Sequence, residues 1–422
     1  MSVLEVLEAR GLVHQKTAED LGAVLAAGPI TFYNGYDPTA TSLHVGHLLP
    51  LTLMKHMQRA GHKVIALIGG GTGLIGDPSG KSTERNLLTA ETVAENGKLI
   101  HAQVTRILQA DQNPPIYANN LDWLGGVKLL DFLRDIGKHF SVNAMIQRDS
   151  VKSRFERDGE GISFTEFTYS LLQAYDFLEL HKRYGCTMQT GGSDQWGNIV
   201  SGTDLIRRVT GNRAFGLTVP LLTNSDGKKF GKSEKGAIFL DPALTSPYAF
   251  YQFWLNAADA DVQRLLRLFT DIPLDEIAAL DVNSGARPAQ KLLAETLTRD
   301  IHGADALDGA KKASEALFSG AIQGLPVATL LEIFADVPAV SLPREKLAEG
   351  VALTDLLTET GLTASKGDAR RQLQQGAVRL NGGEPVSGEP VLTANDFIDG
   401  QVLVLRKGKK SYGLVRVAAS KE

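Results

Sequence analysis

The stretch that decides the fold is ITFYNGYDPTATSLHVGHLLPLTLMKHMQRAGHKVIALI, which occupies residues 30–68. Its ends, Ile30–Tyr36 and Lys63–Ile68, are apolar runs of strand length, and Gly46–Ala60 between them carries apolar residues at helical spacing. Strand, helix and strand in this order predict a parallel sheet with right-handed crossovers. Because ligands bind such sheets beyond the carboxyl ends of the strands, we expect the residues after Tyr36 to lie at a binding site.

The patterns on either side of this stretch predict the domain organisation. A chain of 422 residues is too long for one compact core. We predict an α/β protein in four parts, which are a Rossmann-like parallel-sheet catalytic domain at 1–225, an α-helical domain at 226–320, a linker at 321–350 and a small α/β domain at 351–422. Helical periodicity supports the second part, and three prolines interrupt the third.

Composition argues against several classes of function. No run approaches the roughly 20 apolar residues that a membrane span needs, and no signal peptide is visible, so no membrane partner is expected. The single cysteine, Cys186, rules out an internal disulfide and a cysteine-based zinc site, and it is typical of a reducing cytoplasm. The net charge of −4 is not that of a nucleic-acid binder, although residues 351–422 hold 10 Lys/Arg against 8 Asp/Glu, with a basic patch at 406–410.

The turn after the first strand holds two histidines, His44 and His47, around Gly46. It leads into the predicted helix, whose N-terminus offers unpaired N–H groups and a partial positive charge to a phosphate. Histidines three residues apart can add hydrogen-bond donors there, and the glycine lets a nucleotide approach the backbone closely. A metal-binding pair or two surface histidines would explain the same spacing equally well, so this motif alone leaves the alternatives open.

A glycine-rich loop follows the second strand and reads GGGTGLIGDPSGKSTER over residues 69–85. Its centre is similar to a P-loop, but that motif needs four residues between its glycines where three stand here, and Ile75 occupies the place of the first glycine. We therefore reject a P-loop. Lys81 and Arg85 remain candidates for binding phosphate as a pair.

A long helix is predicted at Phe164–Tyr184, and it carries a polar stripe on an otherwise apolar surface. Tyr169, Gln173 and Asp176 are spaced four and three residues apart, so they share one face. Solvent faces favour Lys and Glu, whereas these three residue types are suited to recognition. The stripe therefore favours the wall of a polar pocket over the alternative, a solvent-exposed face.

Two further loops carry polar groups. The segment QTGGSDQWGN at 189–198 is a strand-to-helix turn with Asp194 and Gln195 at its tip, and an ordinary structural turn would have the same pattern. The loop DGKKFGKS at 226–233 holds three lysines between glycines. Such a loop is usually solvated, but it can also be a mobile lid that neutralises phosphate charge as a bond breaks.

These motifs, in this order along the chain, resemble those of one family. HVGH at 44–47 is similar to the HIGH motif of class I aminoacyl-tRNA synthetases, and KFGKS at 229–233 is similar to their KMSKS loop. Within that class, the motifs that together resemble bacterial tyrosyl-tRNA synthetases are FYNGYDPTA at 32–40, GDPSGK at 76–81, the stripe at 169–176 and GGSDQ at 191–195. The resemblance implies that tyrosine and ATP form tyrosyl-adenylate and pyrophosphate. The tyrosyl group would then be transferred to the 3′-terminal ribose of tRNA.

The resemblance also assigns roles to individual residues, with Mg²⁺ carried on the ATP phosphates and no metal held by the protein. The residues implied to stabilise charge during the reaction are Thr39, His44, His47, Lys81, Arg85, Lys229 and Lys232. Those implied to hold tyrosine are Tyr33 and Asp176 at the phenol hydroxyl, Asp77, Tyr169 and Gln173 at the ammonium group, and Gln195 near the carboxyl group. Those implied to bind ATP are Gly35, Asp37, His44, Gly46, His47, Gly192, Asp194, Lys229, Lys232 and Ser233.

Residues 351–422 resemble an S4 RNA-binding domain through GLTASKGDARR at 361–371 and GAVRLNG at 376–382. Composition alone favours a small solvated domain, so it is the resemblance that implies contact between basic side chains and RNA phosphates. The implied contacts are Lys366, Arg370, Arg371, Arg406, Lys407, Lys409 and Lys410. The same resemblance implies that the helical domain binds tRNA.

A homodimer with its interface at about 115–160 and a cytoplasmic location are further implications of the resemblance. Two departures from the family pattern matter. Phe230-Gly231 in the lysine loop can alter its mobility, although both lysines are kept. Pro50 removes a backbone donor, but it falls within about the first turn of the helix, so we expect the helix to form.

Three rival functions remain open. A tryptophanyl-tRNA synthetase shares the fold and both signature motifs, but an indole gives no reason for Asp176 opposite Tyr33, and the S4-like tail argues against it. A small-molecule nucleotidyltransferase would not need an RNA-binding tail. An RNA-binding protein built on an inactive synthetase would not be expected to keep the histidines and lysines of both motifs.

Overall fold

The computed structural model of the protein describes residues 1–79, 87–108, 112–148, 151–152, 161–223, 230–233, 236–282, 285–319, 322–335, 337–408 and 411–418, with the backbone alone for 232–233 and 317–319. The chain divides into two compact units. One consists of Met1–Thr245 with Phe253–Ile301, and the other of Ser246–Gln252 with His302–Glu422.

The first unit is built on a six-stranded sheet in the order β1-β6-β5-β2-β3-β4. Its strands are β1 (Gln15–Lys16), β2 (Thr31–Tyr36), β3 (Lys63–Ile68), β4 (Ile116–Asn119), β5 (Cys186–Gly192) and β6 (Phe215–Val219), and a separate ribbon pairs β7 (Lys232–Ser233) with β8 (Gly236–Ala237). The sheet pairings are parallel apart from the antiparallel pairing of β1 with β6. The chain leaves β2 towards β3 and later returns to β5 on the other side, so the topological switch point lies between β2 and β5. The predicted Rossmann-like sheet is confirmed.

The described helices connect these strands and form the rest of both units. They are α1 (Val3–Arg10), α2 (Leu21–Ala27), α3 (Leu48–Arg59), α4 (Ala90–Ile107), α5 (Leu121–Leu124), α6 (Leu129–Asp135), α7 (Val142–Ile146), α8 (Phe164–Tyr184), α9 (Trp196–Thr210), α10 (Pro247–Leu255), α11 (Asp259–Phe269), α12 (Leu274–Ala278), α13 (Pro288–His302), α14 (Ala304–Ser319), α15 (Val327–Ile333), α16 (Arg344–Glu349), α17 (Leu353–Glu359) and α18 (Lys366–Gln374). In the described part of the chain, no helix combines the length and apolar character that crossing a membrane requires.

Helix α8 has the bounds that the sequence predicts. The hydroxyl of Ser163 accepts a hydrogen bond from the Glu166 amide at its start, and Gly185 ends it in a left-handed conformation with φ 63°. Its polar stripe does not face solvent, because the Tyr169 and Asp176 side chains are buried. The stripe therefore lines the interior of the first unit, close to the switch point of the sheet.

The second unit contains a four-stranded sheet in the order β11-β13-β14-β9. Its strands are β9 (Ala339–Leu342), β11 (Val378–Leu380), β13 (Val402–Lys407) and β14 (Ser411–Val417), and a two-stranded pair joins β10 (Val351–Ala352) to β12 (Val391–Leu392). Its apolar core includes Leu356, Leu357, Leu403 and Val415, each with 0% exposure. The small α/β fold predicted for the end of the chain is present.

The segment 321–350, for which the sequence predicts a linker, instead contributes to this unit. Strand β9 pairs in parallel with β14, and Leu330 and Phe334 are fully buried. Two of the prolines that suggested a break, Pro326 and Pro343, stand immediately before helices α15 and α16. Proline is tolerated there because the first N–H groups of a helix have no intrahelical partner.

Candidate active site

The two histidines of the HVGH turn support each other through the backbone. His44 Nδ1 accepts a hydrogen bond from the Gly46 amide at 3.0 Å, and His47 Nδ1 accepts one from the His44 amide at 3.1 Å. Each neutral ring therefore carries its proton on Nε2, where it can serve as a donor. Burial, with a smaller effect of neighbouring His44, lowers the pKa of His47 to about 3. His47 can therefore bind an anion as a neutral hydrogen-bond donor.

Gly46 is needed for this arrangement as well as for access to the backbone. A Cβ atom at this position would lie 2.8 Å from His44 Cε1. Any side chain at Gly46 would therefore push the His44 ring out of the turn.

The segment after the KFGKS motif pairs with the HVGH turn. The Val45 amide donates to the Ile238 carbonyl at 2.9 Å, and the Leu240 amide donates to the Leu43 carbonyl at 2.8 Å. Gly231 has φ 81°, and a Cβ atom there would lie 2.9 Å from Val45 Cγ2. The structure thus brings the two predicted phosphate-binding motifs side by side.

Phe230, a departure from the usual KMSKS pattern, is largely buried in an aromatic cluster. Its ring centroid lies 5.6 Å from Phe253, 5.7 Å from Trp254 and 5.7 Å from Phe269. The phenylalanine therefore gives the motif an apolar anchor in the helical part of the first unit.

Several predicted site residues lie outside the described part of the chain. They are Lys81, Arg85, Lys229, Lys409 and Lys410, and for Lys232 and Ser233 the structure gives only the backbone. Their predicted roles stay predictions.

Polar side chains from the end of β2, the glycine-rich loop, α8 and the turn before α9 form a cluster of two hydrogen-bonded groups, and the charge of Asp77 in one group acts on Tyr169 in the other. The Tyr169 hydroxyl donates to Asp37 at 2.7 Å, and the Gln195 amide donates to Asp77 at 2.6 Å. The Gln173 amide donates in turn to Gln195 at 3.1 Å. These five residues come from four separate motifs of the sequence, and the structure brings all of them together.

Asp176 lies at the buried end of this cluster. Its two carboxylate oxygens accept hydrogen bonds from Trp123 Nε1 at 2.7 Å and from the Asn120 amide at 2.9 Å. Burial raises the pKa of the Asp176 carboxyl to about 8, although both donors oppose the shift. A buried carboxyl with this degree of perturbation is typical of a functional site.

Tyr33 lies beside Asp176 with an unused hydroxyl. The side chain is 1% exposed, and its hydroxyl has no hydrogen-bond partner among the residues that the structure describes. Burial, with the neighbouring Asp176, raises the pKa of this phenol well above its usual value. An unsatisfied buried hydroxyl is costly, so it marks a position where a ligand can complete the hydrogen bonding.

Sequence reasoning missed the residues that connect these groups. The Asn120 side chain donates to Thr72 at 2.8 Å as well as to Asp176, and Thr72 donates to Asp37 at 2.7 Å. Asn120 follows directly after β4, so its position at the carboxyl end of a parallel strand was a usable signal. Nothing in the sequence pairs Trp123 with Asp176.

The glycines predicted to bind nucleotide differ in their surroundings. A Cβ atom on Gly192 would lie 2.4 Å from Asp194 Oδ1, so this glycine is required for the position of that carboxylate. Gly35 is exposed at the end of β2, and a Cβ atom there would meet nothing within 4 Å. Gly35 therefore leaves open space where the predicted nucleotide would bind.

The basic residues predicted to contact RNA carry intramolecular partners. Lys366 Nζ lies 2.7 Å from Asp355, and Arg370 Nε lies 3.0 Å from Glu389. Arg371 pairs with Asp368 in the same helix, α18. The charge of this surface is therefore more balanced than a count of its cations suggests.

Two further predicted RNA contacts lie on β13. The guanidinium of Arg406 lies 5.6 Å from the centre of the Tyr412 ring. The ammonium group of Lys407 donates to the Leu362 carbonyl.

Comparison with known proteins identifies the family of the chain. Residues 25–319 match the family described as "tRNA synthetases class I (W and Y)", and residues 329–415 match the "Tyrosine--tRNA ligase SYY-like C-terminal domain". The chain is 50% identical over 420 residues to a tyrosine–tRNA ligase of Dechloromonas aromatica and 51% identical over 421 residues to one of Escherichia coli, with 98% of each chain covered. The solved structure of a C-terminally truncated mitochondrial tyrosyl-tRNA synthetase from Aspergillus nidulans aligns with a TM-score of 0.67 at 34% identity, covering 75% of this chain and 94% of that one.

A parallel sheet with the HVGH and KFGKS motifs side by side at its carboxyl edge defines a class I aminoacyl-tRNA synthetase. The protein is an enzyme of that class, and ATP is a substrate of the reaction it catalyses. Within the class, the chain belongs to the family of tRNA synthetases for tryptophan and tyrosine.

Proposed function

We propose that this synthetase is specific for tyrosine. It activates L-tyrosine with ATP to give tyrosyl-adenylate and pyrophosphate, and it then transfers the tyrosyl group to the 3′-terminal ribose of tRNA(Tyr). The observation that carries the proposal is the pair of Asp176, which two donors hold, and Tyr33, whose buried hydroxyl has no hydrogen-bond partner in the described part of the chain.

This pair is suited to a phenol hydroxyl, which can donate and accept at the same time. Bound tyrosine would complete the hydrogen bonding of Tyr33 and add a partner to Asp176. Phenylalanine has no hydroxyl, so it would leave both groups buried without that partner. Because leaving buried polar groups unpaired is costly, the pocket selects tyrosine over phenylalanine.

The ammonium group of tyrosine is assigned to Asp77, Tyr169 and Gln173, with Gln195 near the carboxylate. The hydrogen bonds from Gln195 to Asp77 and from Gln173 to Gln195 support this assignment, because they hold acidic and amide oxygens in one cluster. Asp37, Gly192 and Asp194 are assigned to the nucleotide.

The first step needs no general base, since the carboxylate of tyrosine is already ionised at neutral pH. Catalysis instead depends on alignment with the α-phosphate and on stabilisation of charge as pyrophosphate leaves. Thr39, His44 and His47 are assigned to this role, together with Lys81, Arg85, Lys229 and Lys232.

Mg²⁺ is assigned to the phosphates of ATP, because this ion retains water ligands and commonly binds through substrate phosphates. Within the described stretches, no group of three or more His, Cys, Asp or Glu side chains is placed to hold a metal. When bound, the ion would neutralise phosphate charge beside the Nε2 donors of the two histidines.

The remaining partners follow from the same function. The second unit binds tRNA through the predicted cations of α18 and β13, and the enzyme acts in the cytoplasm, where tRNA is charged. A homodimer is supported by exposed apolar side chains on α5, α6, α7 and the start of α8, which are Leu121, Leu129, Leu130, Leu133, Val142 and Phe164, each between 45% and 78% exposed. Exposed large apolar side chains concentrated in one part of a chain are typical of a protein interface.

Tryptophan is the alternative amino acid, since the matched family covers both enzymes. An indole N–H could donate to Asp176, but an indole has no acceptor for a hydrogen bond from the Tyr33 hydroxyl. The C-terminal match to the tyrosine–tRNA ligase type also favours tyrosine.

The test is ATP–pyrophosphate exchange by the purified protein with tyrosine, tryptophan or phenylalanine, followed by charging of tRNA(Tyr). We expect exchange with tyrosine and charging of that tRNA. Exchange with tryptophan alone would support the alternative, and the absence of exchange with any of the three would overturn the function.

A further inference from the structure

Helix α4 holds both ends of the loop that leads to the HVGH turn. The buried Asn96 side chain donates to the Pro38 carbonyl at 3.1 Å, at the start of the loop. The Gln103 side-chain oxygen accepts from the Leu43 amide at 2.9 Å, directly before His44. Both contacts use side-chain amides to pair backbone groups of an irregular segment.

Gln103 makes a second contact that strengthens the link. Its Nε2 donates to the hydroxyl of Ser42 at 3.1 Å, and that hydroxyl also accepts from the Asp241 amide at 3.1 Å. Ser42 is 3% exposed, so these hydrogen bonds are shielded from water. One side chain of α4 is therefore connected to the HVGH turn and to the segment that follows the KFGKS motif.

The spacing of the two amides suits a rigid support. They stand seven residues apart, which is about two helical turns or roughly 10 Å, so they lie on the same face of α4. The helix packs closely on the sheet between them, because a Cβ atom on Gly97 would lie 3.3 Å from Ile68 Cγ2. Helix α4 therefore fixes the position of the loop relative to β3.

We propose that Asn96 and Gln103 are positioning residues for the activation step, acting through Thr39 and His44. The inference rests on the proposed function and adds two residues that neither the motifs nor the family resemblance assigns. Thr39 is an exposed residue of the loop that α4 holds, and His44 comes directly after the end of that loop. Fixing both ends of the loop sets these two side chains in place before ATP binds.

Such preorganisation acts mainly on the reaction rate. Donors fixed where charge develops need no rearrangement during reaction, whereas a misplaced donor binds the ground state nearly as well but stabilises the transition state less. Loss of Gln103 leaves the Leu43 amide without its partner, and the turn can then shift. Tyrosine binding should not change, because Asp176 and Tyr33 lie outside this loop.

The experiment compares Gln103→Leu and Asn96→Leu with two reference variants. Gln103→Glu keeps an oxygen that can accept from the Leu43 amide. Gln58→Leu removes another buried amide with two hydrogen bonds, to the Leu108 and Asn113 carbonyls, away from the loop. Measured for each are kcat and the KM for ATP in tyrosine-dependent exchange, the Kd for tyrosine alone and the Tm.

We expect Gln103→Leu and Asn96→Leu to lower kcat by about 10- to 100-fold, the range for a small misplacement of reacting groups, with the Kd for tyrosine unchanged. Gln103→Glu should restore most of the rate, and Gln58→Leu should lower the Tm without a comparable loss of kcat.

Unchanged kcat in Gln103→Leu, or an equal loss in Gln58→Leu, would overturn the inference while the wild type still exchanges normally. Absence of exchange by the wild type would overturn the proposed function, and the inference would fall with it.

Discussion

His44 and His47 show how a backbone turn sets the chemistry of two side chains. The sequence predicts both residues and their spacing, because the motif is local. It does not predict their tautomers, since those depend on which backbone amides reach Nδ1 in the folded turn. The same limit applies to Asp176, whose position on a helix face is predictable but whose donors, Asn120 and Trp123, come from a distant segment.

The buried Asp176 carboxyl should make the stability of the protein depend on pH. Its pKa of about 8 lies above the ordinary value of 3.8, so the folded state holds the proton more tightly than the unfolded state. The bound proton therefore contributes to the free energy of unfolding. This contribution is fully present below the pKa of the unfolded state and is lost as the pH rises through about 8. Its size is about 1.4 kcal/mol for each unit by which the two pKa values differ.

The side chain in Asp176→Asn cannot ionise. We therefore expect the free energy of unfolding of this variant to fall less than that of the wild type as the pH rises from about 5 to about 9. Chemical denaturation at both pH values measures the difference. Equal losses in the two proteins would show that Asp176 does not have a raised pKa.

Among the helices and strands, the sequence predicts best the ones whose ends carry local signals such as capping residues. Helix α8 has a serine cap and a terminal glycine, and its predicted bounds agree with the structure. Helix α4 carries no functional motif, and the importance of its two amides follows only from tertiary contact. The segment 321–350 differs from its predicted linker because proline at a helix start and proline in a linker look alike in sequence.

The N-terminal helix α1 should stabilise the helical part of the first unit through one residue. The Arg10 guanidinium donates to the carbonyls of Arg267, Thr270 and Ile272, at and beyond the end of α11. Arg10 is buried, so its removal leaves those carbonyls without a partner.

We expect Arg10→Leu to lower the free energy of unfolding by about 2–4 kcal/mol, the size of a lost buried charged hydrogen-bond network, with the KM values for tyrosine and ATP unchanged. Denaturant titration measures the loss. Arg59→Leu is the control. Arg59 forms an ion pair with Asp271, but its side chain is more exposed than that of Arg10, so its removal should lower the free energy of unfolding by less. Equal losses in the two variants would contradict the stated role of Arg10.

At the scale of the whole molecule, the apolar surface around α6 predicts association with a second copy. Leu130, on α6, is 78% exposed, the highest value among the apolar side chains of this region. Placing a charge there should weaken a dimer by about 2 kcal/mol or more, as at the centre of other interfaces.

Sedimentation analysis of Leu130→Glu should therefore show dissociation at concentrations where the wild type is dimeric. Val391→Glu provides a control, since Val391 is also exposed but lies in the second unit. A wild type that is monomeric at all concentrations would contradict the proposed dimer.

Recognition of the phenol hydroxyl by Asp176 and Tyr33 is tested by discrimination between tyrosine and phenylalanine. The measurement is the ratio of kcat/KM for the two amino acids in ATP–pyrophosphate exchange, for the wild type and for Tyr33→Phe and Asp176→Ala. We expect a high ratio in the wild type and a fall of about 10-fold or more in each variant, mostly through loss of activity with tyrosine. An unchanged ratio in both variants would contradict it and would place the recognition of the hydroxyl elsewhere.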